Sequence, residues 1–328
     1  MKIFIIGSNS FIGSSYVRYL FQNSLEKKIY GCSRNKKKKI NTINFNIQEK
    51  NYFFYRIDLN KNIDDLIRLL KKIKPQIIIN FAAQSIVETS WKYPIDWYNT
   101  NLISNIKLLD YLKNVDYLDR YIHSSTPEVY GSTSKKIKES FSYYPNTPYA
   151  SSKASIDMLL KNYYDQYNFP VIFTRIANIY GPGQQVFKII PKTILSIKKN
   201  KKITLHGGGL SERSFIYSDD VSSALYKIQK KSKAGEIYHI SNEDKISIKN
   251  LIKTICKIMN VDYKSFVVNT EERPGKDKVY DLSANKIKNK LGWKTKTELL
   301  VGIKKTKLWI DTDFHELKNK KLYYEHEK

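Results

Sequence analysis

The chain has 328 residues, of which 41% are hydrophobic and 13% aromatic, and this composition excludes an intrinsically disordered protein. Lysines and arginines outnumber acidic residues by 57 to 31, which gives a formal net charge of +26. Because the lysines are spread along the chain without a nucleic-acid-binding motif, we expect no specific nucleic-acid partner.

The cysteines and the short apolar runs bear on where the protein works. Cys32 and Cys256 are too few and too far apart for a disulfide framework or a zinc cluster. No pair of histidines has metal-site spacing, so no metal is expected. The apolar run at Ile3–Ile6 is too short for a signal peptide or a membrane span. We therefore expect a cytoplasmic protein that does not associate with membranes.

The first half of the chain alternates short apolar runs with amphipathic stretches. Fully apolar strands that alternate with helices are typical of a parallel sheet with helices on both faces. The sequence therefore predicts an α/β fold with a Rossmann-type doubly wound sheet. The predicted strands are 2–7, 28–32, 52–57, 76–81, 121–124 and 171–175, and the predicted helices are 11–23, 64–73, 102–112 and 149–167.

After about residue 177 glycine-rich turns separate the elements, and helices are predicted at 189–198, 218–230 and 247–259. We expect a Rossmann domain at 1–177 and a smaller mixed α/β substrate domain at 178–328, with segments near 210–235 that return to the first domain. A basic surface loop is expected at 35–50 and a charged tail at 319–328.

A turn bounded by Gly7 and Gly13 joins the first predicted strand to the first helix. A dinucleotide pyrophosphate requires a tight turn, close approach of the backbone and a helix N-terminus. Ser10 stands where a middle glycine is common. The position directly after the first strand favours a dinucleotide site, and the alternative is an ordinary strand–helix turn.

The end of the second predicted strand bears on the choice of dinucleotide. An acidic residue there commonly binds the NAD ribose, but this chain has Ser33 and Arg34. A guanidinium and a hydroxyl suit a 2′-phosphate, so we predict NADP, with NAD as the alternative. Asp58, after the third strand, is expected either to accept from the adenine amino group or to cap the following helix.

Tyr149 and Lys153 lie four residues apart on a predicted helix, so both side chains share one helix face. An ammonium near a phenol favours the ionised phenolate, which can take a proton from a sugar hydroxyl while hydride leaves the same carbon. The alternative is an exposed tyrosine–lysine pair.

Several motifs in order resemble the extended short-chain dehydrogenase/reductases that act on nucleotide sugars, and among them the 4,6-dehydratases. The resemblance covers nearly the whole chain. Its motifs are Asn80-Phe-Ala-Ala-Gln-Ser85, Ser125-Thr-Pro-Glu-Val-Tyr-Gly131, Tyr149-Ala-Ser-Ser-Lys-Ala-Ser-Ile-Asp157, Arg175-Ile-Ala-Asn-Ile-Tyr-Gly-Pro182, Arg213-Ser-Phe-Ile-Tyr217, Arg273-Pro-Gly-Lys-Asp277 and Leu291-Gly-Trp293.

The resemblance implies a nucleotide-diphosphate sugar as substrate and gives each motif residue a role. Tyr149 is the base at the C4 hydroxyl, and Lys153 lowers its pKa and holds the nicotinamide ribose. Thr126 hydrogen-bonds the C4 oxygen, and Glu128 removes the C5 proton. The other implied dinucleotide contacts are Phe11, Ile12, Leu59, Ala82, Ala83, Gln84, Ser124 and Ile176, and the other implied substrate contacts are Ser85, Asn178, Arg213 and Arg273, the two arginines on the diphosphate.

Pro127 departs from the family pattern, because dTDP-glucose 4,6-dehydratases carry at this position an aspartic acid that protonates the departing C6 oxygen. Proline cannot do so, which leaves Glu128 to carry one proton from C5 to O6. The alternative is a different outcome on the same fold, either 4-epimerisation or reduction of a ketosugar. The resemblance also implies a homodimer or homotetramer built through helices 102–112 and 149–167.

Overall fold

The computed structural model describes residues 1–23, 28–36, 51–132, 135–271 and 281–326. Within these ranges the strands are β1 (Ile3–Ile6), β2 (Ile29–Ser33), β3 (Tyr52–Arg56), β4 (Ile77–Asn80), β5 (Arg120–Ser125), β6 (Val171–Ile176), β7 (Asn178–Tyr180), β8 (Ile203–His206), β9 (Glu212–Arg213), β10 (Phe215–Tyr217), β11 (Ile237–Ile240), β12 (Ile246–Ser247) and β13 (Val267–Thr270). The helices are α1 (Phe11–Gln22), α2 (Ile63–Ile73), α3 (Val87–Lys92), α4 (Pro94–Tyr98), α5 (Ser104–Leu112), α6 (Pro148–Tyr167), α7 (Ile189–Lys198), α8 (Ser218–Lys231), α9 (Ile248–Ile258), α10 (Tyr263–Phe266), α11 (Asn285–Leu291), α12 (Leu299–Thr312) and α13 (Phe314–Leu317).

Seven parallel strands of the described chain form the central sheet, in the order β11-β6-β5-β4-β1-β2-β3. In β1, Ile6 pairs with Cys32 on one side and Asn80 on the other. The order of the strands along the chain reverses at β1, so the loops after β1 and β4 diverge and leave a crevice at the carboxyl edge. The prediction of a Rossmann-type doubly wound sheet is confirmed.

Helices cover both faces of the sheet because each has one apolar stripe. On one face, α1 and α8 pack together and bury Val17, Leu20 and Leu225 against the strands. On the other face, α2, α5 and α6 bury residues such as Leu66 and Leu160. No helix in the described ranges is long and apolar enough to span a bilayer.

A separate apolar core lies in the part of the chain for which the sequence predicts a substrate domain, and we call this part the substrate side. There α7, α9 and α12 pack around residues that include Ile194, Ile255 and Ile310. The chain crosses between the two sides more than once after residue 177. Helix α8 packs on α1, β11 pairs with β6, and α11 packs against β11. The division of the chain into two domains at residue 177 stays a prediction.

Two surface segments were predicted from their charge. Of the basic loop at 35–50, residues 37–50 lie outside the described residues. The charged tail expected at 319–328 is described up to residue 326, and it is exposed along much of its length but packs against the protein near its end. The His326 side chain is only 4% exposed and lies against Asp96. Aromatic and charge-paired contacts in this segment outweigh its overall polarity.

Candidate active site

The turn between β1 and α1 is built from glycines that admit no side chain. Gly7 has φ 79°, and a Cβ there would lie 2.6 Å from the Ala82 nitrogen. A Cβ at Gly13 would lie 2.3 Å from the Gly7 carbonyl oxygen. Ser10 caps α1, since its Oγ accepts from the Gly13 N–H at 3.0 Å. The turn after β1 is thereby held close to the segment that follows β4, and the first turn of α1 is held close to that turn.

A cleft of about 240 Å³ opens at this edge of the sheet. The chain reverses its strand order here, and the helix N-terminus is suited to a pyrophosphate. A dinucleotide fits this cleft for two reasons. The cleft lies at the carboxyl edge of the sheet, and the glycines leave open the space that a Cβ would fill. Predicted dinucleotide residues in its walls are Gly7, Ser10, Ser33, Arg34, Asp58, Leu59, Ala82, Ala83 and Gln84.

The end of β2 carries no carboxylate within this cleft. The Ser33 Oγ accepts from the Asn9 backbone N–H at 2.9 Å, and the Arg34 carbonyl accepts from the Arg56 Nε at 3.1 Å. Asp58 accepts from the Asn60 N–H at 2.9 Å and closes a short turn. The N-cap of α2 is Asn62, so Asp58 does not cap that helix.

A second cavity of about 320 Å³ adjoins the cleft. Ser10, Phe81 and Ala83 line both spaces, so the two spaces are neighbours at this edge of the sheet. The structure brings most of the predicted reaction residues into this cavity. They are Phe11, Ile12, Ser85, Ser124, Thr126, Tyr149, Lys153, Ile176 and Asn178.

Tyr149 lies in the first turn of α6, which is capped by Thr147 and anchored where the Ser90 Oγ accepts from the Tyr149 N–H at 3.2 Å. Burial raises the pKa of the Tyr149 phenol, and the Glu128 carboxylate raises it further. A hydrogen bond with the Thr126 side chain lowers that pKa by less. The predicted lowering of this pKa by Lys153 is not what the structure shows, because burial dominates.

Lys153 lies one turn further along α6 and is also buried. Its Nζ donates to the Ser124 carbonyl at 2.8 Å and lies 3.3 Å from the Nε2 of His123. Burial lowers the pKa of Lys153 to about 8, and the Asp157 carboxylate opposes this shift. The ammonium is thus fixed at the cavity wall by two partners from β5.

A buried charged network beneath Lys153 was missed by sequence reasoning. Asp157 lies 3.3 Å from His123 Nε2 and accepts from the Ser125 hydroxyl at 2.7 Å and from Arg175 Nη2 at 3.3 Å. Burial and then the Lys153 charge lower the pKa of His123 to about 4, so its ring is neutral at neutral pH. The alternation of inward positions along β5 was the available signal, because His123 and Ser125 occupy it.

Glu128 and Lys188 extend the site on its other side. Thr126 caps a short 3₁₀ turn at Pro127–Tyr130, and its side chain accepts from the Glu128 N–H at 3.3 Å. Lys188 lines the second cavity. Burial lowers the pKa of Lys188, and the Glu128 carboxylate opposes that shift, so the two charges face each other. Sequence reasoning missed Lys188, since it lies in a loop without a local pattern.

Comparisons with known proteins agree with this arrangement. The family model described as GDP-mannose 4,6 dehydratase matches residues 4–306. The chain belongs to this family. It is 33% identical to human dTDP-D-glucose 4,6-dehydratase over 97% of this chain and 92% of the relative.

Solved structures of the same class superpose closely on the new family member. The dTDP-glucose 4,6-dehydratase of Bacillus anthracis, in complex with NAD, is 30% identical, with a TM-score of 0.86 over 96% of this chain and 98% of that chain. The UDP-glucose 4-epimerase of Thermotoga maritima, with UDP-glucose, is 26% identical, with a TM-score of 0.86 over 96% and 100%. The predicted resemblance to nucleotide-sugar dehydratases and epimerases is confirmed, and the chain is an enzyme of this class.

The family resemblance placed two arginines on the substrate diphosphate, and the structure describes only one of them. Arg213 lies on β9, where its Nη1 donates to the Glu212 carbonyl at 2.8 Å. It is absent from the described walls of both the cleft and the second cavity. Arg273 lies outside the described residues. Their grip on a diphosphate stays a prediction.

Proposed function

We propose that the chain is an NAD(P)-dependent nucleotide-sugar 4,6-dehydratase, which converts an NDP-hexose to an NDP-4-keto-6-deoxyhexose. One observation carries this proposal. Tyr149, Thr126 and Lys153 line a cavity that adjoins the dinucleotide cleft, and the Glu128 carboxylate lies close enough to shift the pKa of Tyr149. A base and a hydrogen-bond partner at one cavity, with the Glu128 carboxylate close to the base, suit oxidation at C4 followed by removal of the C5 proton.

The first step needs a base at the C4 hydroxyl. Tyr149 takes that proton, and Thr126 holds the C4 oxygen in place. A nicotinamide held in the cleft would supply the hydride acceptor for C4 and the hydride donor for C6. Lys153 places a positive charge beside the phenolate as it forms, which offsets the high pKa that burial imposes on Tyr149.

The second step removes water across C5 and C6. The new C4 ketone acidifies the C5 proton, and Glu128 accepts it. Pro127 begins the 3₁₀ turn, and its side chain has no ionisable proton to donate. Glu128 therefore delivers the same proton to the departing C6 oxygen. Hydride then adds at C6, and a proton adds at C5. The C5 proton and the C6 hydroxide leave together as water, and the C4 hydroxyl proton taken by Tyr149 balances the proton that adds at C5.

The identity of the substrate rests on the relatives. Relatives of near-complete coverage are described as dTDP-D-glucose 4,6-dehydratase, and a plant relative 32% identical is described as acting on UDP-glucose. We propose a pyrimidine nucleoside diphosphate hexose, with dTDP-glucose as the first compound to test. The positive field of this chain would favour encounter with any nucleotide diphosphate.

The dinucleotide is proposed to be NADP, with NAD as the alternative. A further cavity of about 190 Å³ adjoins the end of β2 and is lined by Arg34, Arg56 and Lys61. These cations suit a 2′-phosphate. The support for NAD is that the Bacillus anthracis structure contains it. Mass spectrometry of the dinucleotide released from purified protein by heat decides between them.

The reaction is tested with dTDP-glucose, UDP-glucose and GDP-mannose in the absence of added reductant. The proposal expects one of them to lose water, as measured by mass spectrometry, without net reduction of the dinucleotide. A product of unchanged mass would instead identify a 4-epimerase, the second candidate that Pro127 and the epimerase-like fold support. Stoichiometric consumption of NADPH would identify a ketosugar reductase.

A homodimer in the cytoplasm is the proposed assembly and location, with a homotetramer as the alternative. Large apolar side chains are exposed on and near α3, α5 and α6, where the paired-helix contact is expected. They are Trp91, Ile103, Met158 and Tyr167. Light scattering of the purified protein measures the assembly.

A further inference from the structure

The last described segment, residues 318–326, runs from the substrate side of the molecule to the sheet side. We call this segment the strap. It leaves α13 at Leu317, which is buried in the substrate-side core. The Lys318 carbonyl accepts from the Nζ of Lys199 at 2.6 Å. The strap therefore starts from a fixed point on the substrate side.

The middle of the strap contacts the loop that forms one wall of the active site. The Tyr324 ring packs edge-on against Phe187, with 5.5 Å between ring centroids. Phe187 lies next to Lys188 and two residues after Gln185, which lines both the dinucleotide cleft and the second cavity. The strap thus contacts a loop that contributes to the walls of both spaces.

The end of the strap is clasped to the sheet side at α4. His326 Nε2 lies 2.6 Å from Asp96 Oδ2, and the His326 ring stacks on Tyr93 at 4.7 Å. The Tyr324 hydroxyl lies 3.2 Å from His326 Nδ1. The His326 side chain is only 4% exposed, whereas the Asp96 side chain is 38% exposed, so the clasp holds a buried imidazole against a partly exposed carboxylate.

The clasp also borders the space where the dinucleotide binds. His326 and Asp96 line the cavity beyond the end of β2. Arg34, Asp58 and Gln84 line both that cavity and the dinucleotide cleft. In this fold the adenosine ribose is bound at the end of β2, so the clasp lies at the adenosine end of the site.

We propose that the strap is a wall of the dinucleotide site and that the His326–Asp96 clasp slows release of the dinucleotide. The strap joins the two sides of the cleft, so the adenosine end leaves more easily when the clasp is open. Retention of the dinucleotide suits the proposed function, and the inference rests on that function only for this reason to retain it. A 4,6-dehydratase returns hydride from the same dinucleotide in each turnover, and a dinucleotide that stays bound needs no replacement.

The test measures release of the dinucleotide with no sugar present, so its result does not depend on the proposed reaction. NADPH and NADH are each bound to the full chain, and release is followed by fluorescence after mixing with excess oxidised dinucleotide. We expect His326→Ala and Asp96→Ala each to raise the release rate about tenfold, the effect of losing one packed polar contact. The double variant should match either single variant, because both remove the same contact.

Glu325→Gln is the matched control, since it breaks an exposed ion pair with Lys321 one residue from the clasp. We expect it to leave the release rate unchanged. Thermal unfolding without dinucleotide shows whether the variants stay folded, and deletion of residues 318–328 gives a second route to an open cleft. Release rates within twofold of the parent in the clasp variants and in a folded deletion variant would overturn the proposal. Additive effects of the two clasp substitutions would overturn the role of the clasp.

Discussion

The dinucleotide cleft and the second cavity adjoin each other, but backbone atoms shape the cleft whereas side chains shape the cavity. The cleft is shaped by backbone, namely the turn from Gly7 to Gly13 and the start of α1. The cavity is lined or flanked by buried titratable groups, among them Tyr149, Lys153 and Asp157. The difference suggests that the cleft fails when a side chain is added, whereas the cavity fails when a functional group is removed.

The largest expected effect is on the cavity side. Tyr149→Phe removes the base while keeping the ring, so we expect turnover of the sugar nucleotide to fall about 10³-fold, as for loss of a general base. Dinucleotide affinity should change little, because the phenol does not shape the cleft. Steady-state assays and fluorescence titration measure the two quantities. Tyr144→Phe, at a side chain that is 75% exposed, is the control. More than a tenth of the parent turnover in Tyr149→Phe would be inconsistent with the assigned base.

Glu128→Gln tests removal of the C5 proton separately from oxidation at C4. We expect water loss to slow about 10²-fold or more, while hydride still leaves C4. Reduced dinucleotide should therefore accumulate on the enzyme, and absorbance at the nicotinamide band after rapid mixing follows it. Unimpaired water loss in this variant would remove Glu128 from the elimination step.

Gly13→Ala tests the cleft. A Cβ at this position would lie 2.3 Å from the Gly7 carbonyl oxygen, so the turn has to shift. We expect about 1–3 kcal/mol lower free energy of unfolding and at least about tenfold weaker dinucleotide binding. Ser14→Ala, one residue further along α1, is the control. Wild-type affinity in Gly13→Ala would contradict the backbone origin of the cleft.

The smallest effect concerns pH. Burial holds the pKa of Lys153 at about 8, so its charge is present below that pH and is lost above it. Turnover should therefore halve near pH 8 and fall further at higher pH. Unfolding does not explain such a loss. Between pH 8 and the ordinary lysine pKa the unfolded state binds more protons, so this group makes the fold more stable as pH rises. Stopped-assay pH profiles and unfolding at each pH measure both; a profile flat to pH 10 would contradict the assignment.

The sheet and most of the site were predictable because local patterns decide them. Apolar runs become parallel strands, and the carboxyl ends of parallel strands meet at one edge. Gly7, Ser33, Asp58 and Ala82 each follow such a strand, so their convergence follows from the sequence.

The parts that were not predictable depend on contacts between distant residues. His326 and Asp96 are separated by 230 positions, and no local pattern pairs them. Lys188 reaches the cavity from a loop, and Arg213 lies on a two-residue strand whose direction depends on its partner β12. The predicted direction of the pKa shift of Tyr149 was also wrong. The sequence shows the neighbouring lysine, but it does not show how deeply the phenol is buried.

The central claim is that Tyr149 and Glu128 act in one cavity on a sugar whose C4 hydride returns to C6. The most direct measurement uses dTDP-glucose with deuterium at C4 and determines the position of the label in the product by NMR. The account predicts deuterium at C6 of a product that has lost water. Deuterium found at C4 of an isomer, or in free reduced dinucleotide, would contradict it.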